Sequence, residues 1–385
     1  MRGSGEKRGL LVLAGESPLP PTSGSRQRTV HLARALAEAF EVELAVLGEA
    51  PNAGAEPFSV RPIPHRRSRA GALLGSLRRP YQEAKMRSAA AERYVAEGRW
   101  ATVQAETPFV ASACARAEGP VVLNTHNVEA EVLRSLADRE SRPPQRLRLR
   151  WEARKTEALE RRAVAAAAAV AATSDEDAAI LERLGARRLV VVPNGVDCAG
   201  IAWLGPGSGE TLAYVGHFAY RPNVDAALEL IGSVLPRVQT ERPRARALVI
   251  GRDPPPGLRS PAREGVTVTG AVPDVMPHLR GARVLVAPIR SGGGTRLKVL
   301  EALAAGVPVV STRLGVSGLD VGDGVHVLLA ETASELASRV LEVLDDDALA
   351  GSLSAAGRRL VEERYDWRVV ARPLVELHAA LGATR

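Results

Sequence analysis

Residues 288–312 read PIRSGGGTRLKVLEALAAGVPVVST. The apolar run ARVLVAP (282–288) ends at Pro288 as a strand would, three glycines follow, and a helix is predicted to start near Thr295. Gly292, Gly293 and Gly294 let the backbone bend and come close to a ligand. The helix start then offers free N–H groups and its positive dipole end to an anion, and Arg296 and Lys298 add formal charge at the same place. Together these make a site for a diphosphate. Glu301 falls six residues beyond that helix start, almost two turns in, where its carboxylate can accept from a ribose diol. Ala304, Ala305 and Gly306 close the helix against the next strand. The glycines alone would fit an ordinary flexible strand-loop-helix connection, whereas the whole string points to a nucleotide.

Outward from this stretch the chain alternates strands and helices, the pattern of a parallel sheet covered on both faces. GLLVLAG (9–15) is a strand, ESPLPPTSGS (16–25) a loop, RTVHLARALAEAF (28–40) an amphipathic helix and EVELAVLG (41–48) a second strand. ATVQAE (101–106), PVVLNTHN (120–127) and VAATS (170–174) read as later strands, with a long charged helix around 142–168. LVVVPNGVD (189–197) leads into a linker, and TLAYVGH (211–217), ARALVIG (245–251), VTVTG (266–270), ARVLVAP and GVPVVST (306–312) restart the alternation. This predicts domains at 1–193 and 194–366, with a final amphipathic helix in 367–385.

The bulk composition agrees. The 385 residues are 45% apolar and 3% aromatic, which suits close helix-on-sheet packing and argues against a module that stacks sugars on Trp and Tyr. Cys114 and Cys198 stand far apart, so neither a disulfide framework nor a zinc site is built from them, and a cytoplasmic protein is expected. The apolar run Leu10–Ala14 is too short for a signal peptide or a membrane span. Residues 61–87 carry eight Lys/Arg against the single acid Glu83, an excess equal to the +7 of the whole chain. Such a stretch is either a solvated face or a contact for an anionic partner.

The string GGGTRLKVLEALAAGVPVVST resembles the donor-binding motif of family-four retaining glycosyltransferases, in a GGGTRxK form. Further segments resemble that family in order: PPTSGSRQR (20–28) its first-domain glycine loop, NTHN (124–127) its histidine segment, PNGVD (193–197) its hinge, and YVGHFAYRPNVDA (214–226) the start of its donor domain. The resemblance spans nearly the whole chain. It implies an α/β protein of GT-B architecture, two Rossmann-like domains facing each other across a cleft, with the last helix crossing back onto the first domain. It implies retaining, metal-independent transfer of a hexosyl-type sugar from a nucleotide-sugar donor, used as substrate with no cofactor, to a sugar or lipid-linked acceptor. In that scheme Glu301 holds the ribose, the backbone of Gly293, Gly294, Thr295, Arg296 and Leu297 meets the diphosphate, and Gly24 and Ser25 close over it. His126 lies beside the transferred sugar, and the loop Gly270-Ala271-Val272 reads the base. Gly216 lies in the donor-domain loop.

Three departures stand out. Gly293 takes the place of the family's first donor-motif glutamate; His217 and Asn223 replace its Arg and Lys clamp, leaving Arg221, Arg296 and Lys298 as the available cations; and Ser25 follows Gly24 where two glycines are common. Arg296 and Lys298, with His126, are therefore the expected catalytic side chains.

Other features read more plainly. DED (175–177) and DDD (345–347) begin helices, with Ser174 as an N-cap, and are not metal ligands. His126 is either a hydrogen-bonded strand-end histidine or a site residue, and its polar neighbours at a strand's carboxyl end favour the site. His31, His65, His278, His326 and His378 are structural, while Glu106 and Thr107 line an acceptor region. A hydrolase triad lacks a GxSxG elbow. A sugar-nucleotide epimerase of the same fold and a catalytically inactive basic subunit remain alternatives, whereas nucleic-acid binding has no recognition motif. The stretch 61–87, with AGALLGSL (70–77) between arginine clusters, suits transient contact with an anionic membrane at the inner leaflet.

Overall fold

The computed structural model describes residues 9–51, 54–65, 73, 75–259, 263–292 and 296–383. The chain divides into two compact units: residues 1–193 with 370–385, and residues 194–369. The return to the first unit falls at 369/370, three residues later than predicted. The last segment is broken into helices Trp367–Val370 and Arg372–Gly382.

Among the described residues, the first unit holds seven strands: β1 (Gly9–Ala14), β2 (Glu41–Leu47), β3 (Ser59–Ile63), β4 (Thr102–Ala105), β5 (Val121–Asn124), β6 (Ala169–Ala172) and β7 (Leu189–Val191). They lie parallel in the order β3-β2-β1-β4-β5-β6-β7. The second unit holds β8 (Thr211–Val215), β9 (Arg246–Ile250), β10 (Val266–Val268), β11 (Val284–Ala287), β12 (Val309–Ser311) and β13 (Leu328–Leu329), parallel in the order β10-β9-β8-β11-β12-β13. Each sheet is wound outward in both directions from its first strand. The order therefore reverses between β1 and β4, and again between β8 and β11. Ligands bind outside the carboxyl ends of the strands at such reversals.

Continuous apolar strands follow from burial on both faces. β4, β6 and β11 are buried along their whole length, and in the second unit the residues of β8 and β11 pack alternately into two apolar clusters. The strand β3 is absent from the sequence reading. Its SVRPI holds an interior proline and leaves Ser59, Arg61 and Pro62 exposed, which only an edge strand tolerates. The long helix expected around 142–168 is the Pro143–Ala166 helix, and a second one, Glu129–Arg139, packs beside it. Glu160 holds that pair together by accepting from the Glu129 N–H at 2.6 Å, which caps the shorter helix. Burial pushes its carboxyl up to about 7. The acidic run 175–177 opens a helix whose Ser174 side chain accepts from Asp177 N–H, and Asp346 caps the next-to-last long helix in the same way.

The carboxyl edge of the second sheet is joined strand to strand. Gly216 N–H donates to Ile250 O at 2.9 Å, and Gly251 N–H donates to Gly270 O at 3.2 Å. Gly251 has φ +146°, and a Cβ there would stand 1.7 Å from the Gly216 carbonyl oxygen. Backbone cannot yield as a flexible side chain does. Gly251→Ala is therefore expected to destabilise the second unit by on the order of 3 kcal/mol or more, summing strain and overpacking. A urea midpoint within error of wild type would refute this account of the edge.

Candidate active site

In the second unit the site is built on the segment that follows β11. Gly293, Gly294 and Thr295 lie outside the described residues. The helix Leu297–Ala305 begins two residues later than predicted, with Arg296 as its N-cap. Glu301 is thus its fifth residue, just over one turn in. Gly292 has φ +96°, and a Cβ there would lie 2.4 Å from the Tyr220 hydroxyl. Arg296 is buried and donates to the carbonyls of Gly292 at 2.7 Å and Leu314 at 3.3 Å, and burial lowers its pKa.

Lys298 projects back towards β8. Its Nζ donates to Tyr214 Oη and Asn223 Oδ1, both at 2.8 Å, and stands 4.2 Å from the centre of the Tyr214 ring. Among the described residues it forms no ion pair. Burial, and then the charge of Arg296, lower this ammonium to about 7, with Glu301 pulling the other way. Asn223 stands where the family resemblance expects a clamp lysine, so a cation at that place comes from the helix after β11 instead. Arg221 opens the helix Arg221–Glu229, is exposed, and pairs with Asp225 at 2.8 Å. His217 pairs with Asp253 at 2.8 Å. Gly216 follows β8, and a Cβ there would crowd Asn223 and Tyr214 at 3.1 Å. Val272 lies half-buried in the loop after β10, against the helix-covered core.

In the first unit a cavity of about 410 Å³ opens at the β1/β4 reversal, lined by Ser25, Arg26, Thr29, Lys85, Glu106 and His126 among others. Gly24 and Ser25 are not in a loop: the helix Gly24–Ala39 starts four residues earlier than predicted, so they form its first turn. His126, after β5, places Nε2 2.9 Å from Glu106 Oε2. Glu106 also accepts from Thr29 Oγ1 at 2.7 Å, from Gln104 Nε2, and from Asn124 Nδ2 at 3.1 Å. Burial would raise this carboxyl, but His126, Thr29 and Gln104 outweigh it and hold it at about 2. Arg28, also fully buried, donates to Asn124 Oδ1 at 3.0 Å and to the carbonyls of Val192 and Pro193. Burial lowers it to about 10, so it stays charged.

The sequence reading placed Glu106 and Thr107 at an acceptor region but missed Arg28 and the polar cluster, whose members are scattered from residue 28 to 192. Of the basic stretch, Arg66, Arg67 and Arg69 lie outside the described residues. Arg61, Arg79 and Arg87 are paired with Glu43, Glu83 and Glu92, so two of its charges are met by acids outside the stretch. Cys114 and Cys198 are buried free thiols, both pushed up by burial to about 12. No group of three or more His, Cys, Asp or Glu side chains suited to a metal gathers among the described residues. None of their helices is long and apolar enough to cross a membrane.

The depressed Glu106 pKa ties stability to pH. Its unfolded value near 4.5 lies above the folded one, so the stabilisation is present in full above pH 4.5 and is lost as pH falls towards about 2. The expected loss is on the order of 3 kcal/mol. Urea unfolding across that window should show this slope in wild type and a shallower one in Glu106→Gln; equal slopes would contradict the assignment.

Residues 22–199 match the family Glycosyltransferase Family 4, and residues 209–346 match Glycosyl transferases group 1. A phosphatidyl-myo-inositol mannosyltransferase of Mycolicibacterium smegmatis is 29% identical over 215 residues, 52% of this chain and 54% of that protein. The chain thus spans about half the length of the curated relatives it matches. Among solved structures, sucrose-phosphate synthase from Thermosynechococcus elongatus superposes with TM-score 0.70 at 18% identity, covering 98% of this chain and all of the other. Anabaena HepE in complex with UDP and glucose gives 0.66 at 14%, covering 97% of this chain and all of the other. These likenesses extend the two-sheet GT-B fold over almost the full chain. One glycosyltransferase family matches the first sheet unit and another the second, in chain order, and with the fold they support a family-four glycosyltransferase of GT-B architecture.

Proposed function

We propose that the chain moves a hexosyl-type sugar from a nucleotide-sugar donor to a hydroxyl acceptor, with retention of configuration and without a metal ion, in glycolipid or polysaccharide biosynthesis. The observation that carries this reading is the convergence of two cations, buried Arg296 and half-buried Lys298, at the carboxyl edge of the second sheet. They precede or open a helix whose N–H groups add to their charge. Positive charge there favours the diphosphate most as the glycosidic bond breaks. The GGGTRxK string is the donor loop in this reading, and Glu301, one helical turn on, takes the ribose hydroxyls. The C1–O bond to the diphosphate breaks as the acceptor oxygen bonds to C1 on the same face. The acceptor's proton passes to the departing phosphate oxygen, so no protein base is required. The mannosyltransferase relative supports a glycolipid acceptor, and HepE with UDP and glucose supports a nucleotide-sugar donor.

Calorimetry with nucleoside diphosphates in EDTA tests the donor site. Binding is expected to persist in the chelator, and Glu301→Ala should cost about 1.5–3 kcal/mol. A diphosphate binds the protonated form of Lys298, so affinity should fall up to tenfold per pH unit above about 7, and Lys298→Met should flatten that dependence. Metal-dependent binding, or a Glu301→Ala protein with wild-type affinity, would defeat the reading.

A specific observation also favours an acceptor at an anionic membrane. Leu73, Leu77, Leu147 and Trp151 are exposed. The two segments that carry them are tied together by Lys155 Nζ donating to Ser76 O and Tyr81 N–H donating to Glu152. Exposed arginines 78, 146, 148 and 154 surround these apolar side chains. The protein should sediment with phosphatidylglycerol vesicles but not with neutral ones, and Leu147→Ser with Trp151→Ser should abolish this. A wild type left in the supernatant at low salt would make the acceptor a soluble one.

A further inference from the structure

The cluster around Glu106 has a direction that can be followed atom by atom. His378, on the helix Arg372–Gly382, is fully buried and is lowered by burial to about 3, so its ring is neutral. Its Nε2 lies 2.9 Å from Gln104 Oε1 and its Nδ1 2.8 Å from Thr102 Oγ1. An amide oxygen only accepts, so Nε2 carries the hydrogen and the bare Nδ1 accepts from the Thr102 hydroxyl. Gln104 is thereby fixed with its NH₂ towards Glu106. On the other side, Arg28 donates to Asn124 Oδ1 and turns the Asn124 NH₂ towards the same carboxylate. Thr29 gives it a hydroxyl hydrogen. Every neighbour of Glu106 is a donor, so the carboxylate has acceptor capacity only.

From this arrangement we infer that Glu106 is a positioning residue which holds His126 as the Nε2–H tautomer, leaving Nδ1 as a bare acceptor for a substrate hydroxyl in the first-unit cavity. Nε2 donates to Glu106 Oε2 at 2.9 Å, and Nδ1 is the ring's other nitrogen. A neutral imidazole whose one hydrogen is committed to a carboxylate accepts at its second nitrogen and turns away a second acceptor. With its ring neutral, His126 would select an O–H donor, as a sugar or polyol supplies, and orient it. The carboxylate acts on the substrate only through the imidazole. This inference rests on the proposed transferase reading for the identity of the ligand, and on the geometry alone for the tautomer.

The two are tested separately. In protein labelled with ring-¹⁵N histidine, with His126→Gln identifying the signal, the neutral His126 ring should show a protonated Nε2 and a bare Nδ1 in wild type. Glu106→Ala should mix the tautomers. A wild-type ring protonated at Nδ1, or a spectrum unchanged in Glu106→Ala, overturns the inference, and the wild-type spectrum does so even if the variant fails to fold. In transfer assays Glu106→Ala should lower turnover by roughly ten- to a hundredfold, about the worth of one hydrogen bond to a charged group, with donor KM unchanged. On a His126→Ala background the same change should have little further effect, whereas independent structural roles would multiply. Wild type that shows the tautomer but transfers sugar to no acceptor would sink the transferase reading and leave the tautomer assignment standing.

Discussion

A carboxylate sealed from water must find its hydrogen-bond donors within the protein, and the first unit is organised around meeting that need for Glu106. The donors come from the first helix, from β4 itself, from the end of β5 and from the segment after it. A buried charge left without partners is costly, so each of these elements must arrive at a fixed place and angle. Arg28 supplies the balancing charge one residue further out, and its hold on Val192 and Pro193 extends the same cluster to the last residues of the unit before the chain leaves it. The carboxyl edge of the first sheet is in this sense a polar core, as specific in its geometry as the apolar one beneath it.

The second unit uses burial in the opposite way. Its two cations, Arg296 and Lys298, rest on neutral groups: carbonyls, a phenol and an amide. Neutral partners hold the side chains in place without cancelling their charge. Desolvation then makes each of them receptive to an anion, and it lowers the Lys298 pKa for the same reason. Lys298, on the helix after β11, thus places its Nζ beside Asn223 on the helix after β8.

Those contrasts explain what was legible in the sequence. Alternation of apolar strands with amphipathic helices, and the division near residue 194, are local patterns, and periodicity reveals them. The string 288–312 stands out in the sequence because one short segment carries its glycines, cations and carboxylate together. β3 was hidden because Pro62 and exposed polar residues beside it make an edge strand look like loop. The early start of the first helix was hidden by Gly24, which reads as a breaker when no partner is in view. The donors to Glu106 come from positions 29, 104, 124 and 126, and one of these is aimed by residue 378; no window along the sequence brings them together. The pairing of Arg61 and Arg87 with Glu43 and Glu92 was hidden for the same reason, since Glu43 and Glu92 come from other elements.

The return of residues 370–385 to the first unit has a consequence for how the chain is made. His378 sits against Thr102 and Gln104 with none of its surface left to solvent. Those two strand residues emerge from the ribosome long before it does, and the whole second unit is synthesised in between. Until the last helix arrives, the Gln104 amide lacks the partner that sets its direction, and a buried surface of the first sheet stays open. The unit that is translated first is consequently the one completed last, and the polar cluster around Glu106 closes only when both units have been translated. A nascent chain that stops short of its final helix would carry a folded second unit and an unfinished first one. That ordering ties the competence of the first-unit cavity to the translation of residues 370–385.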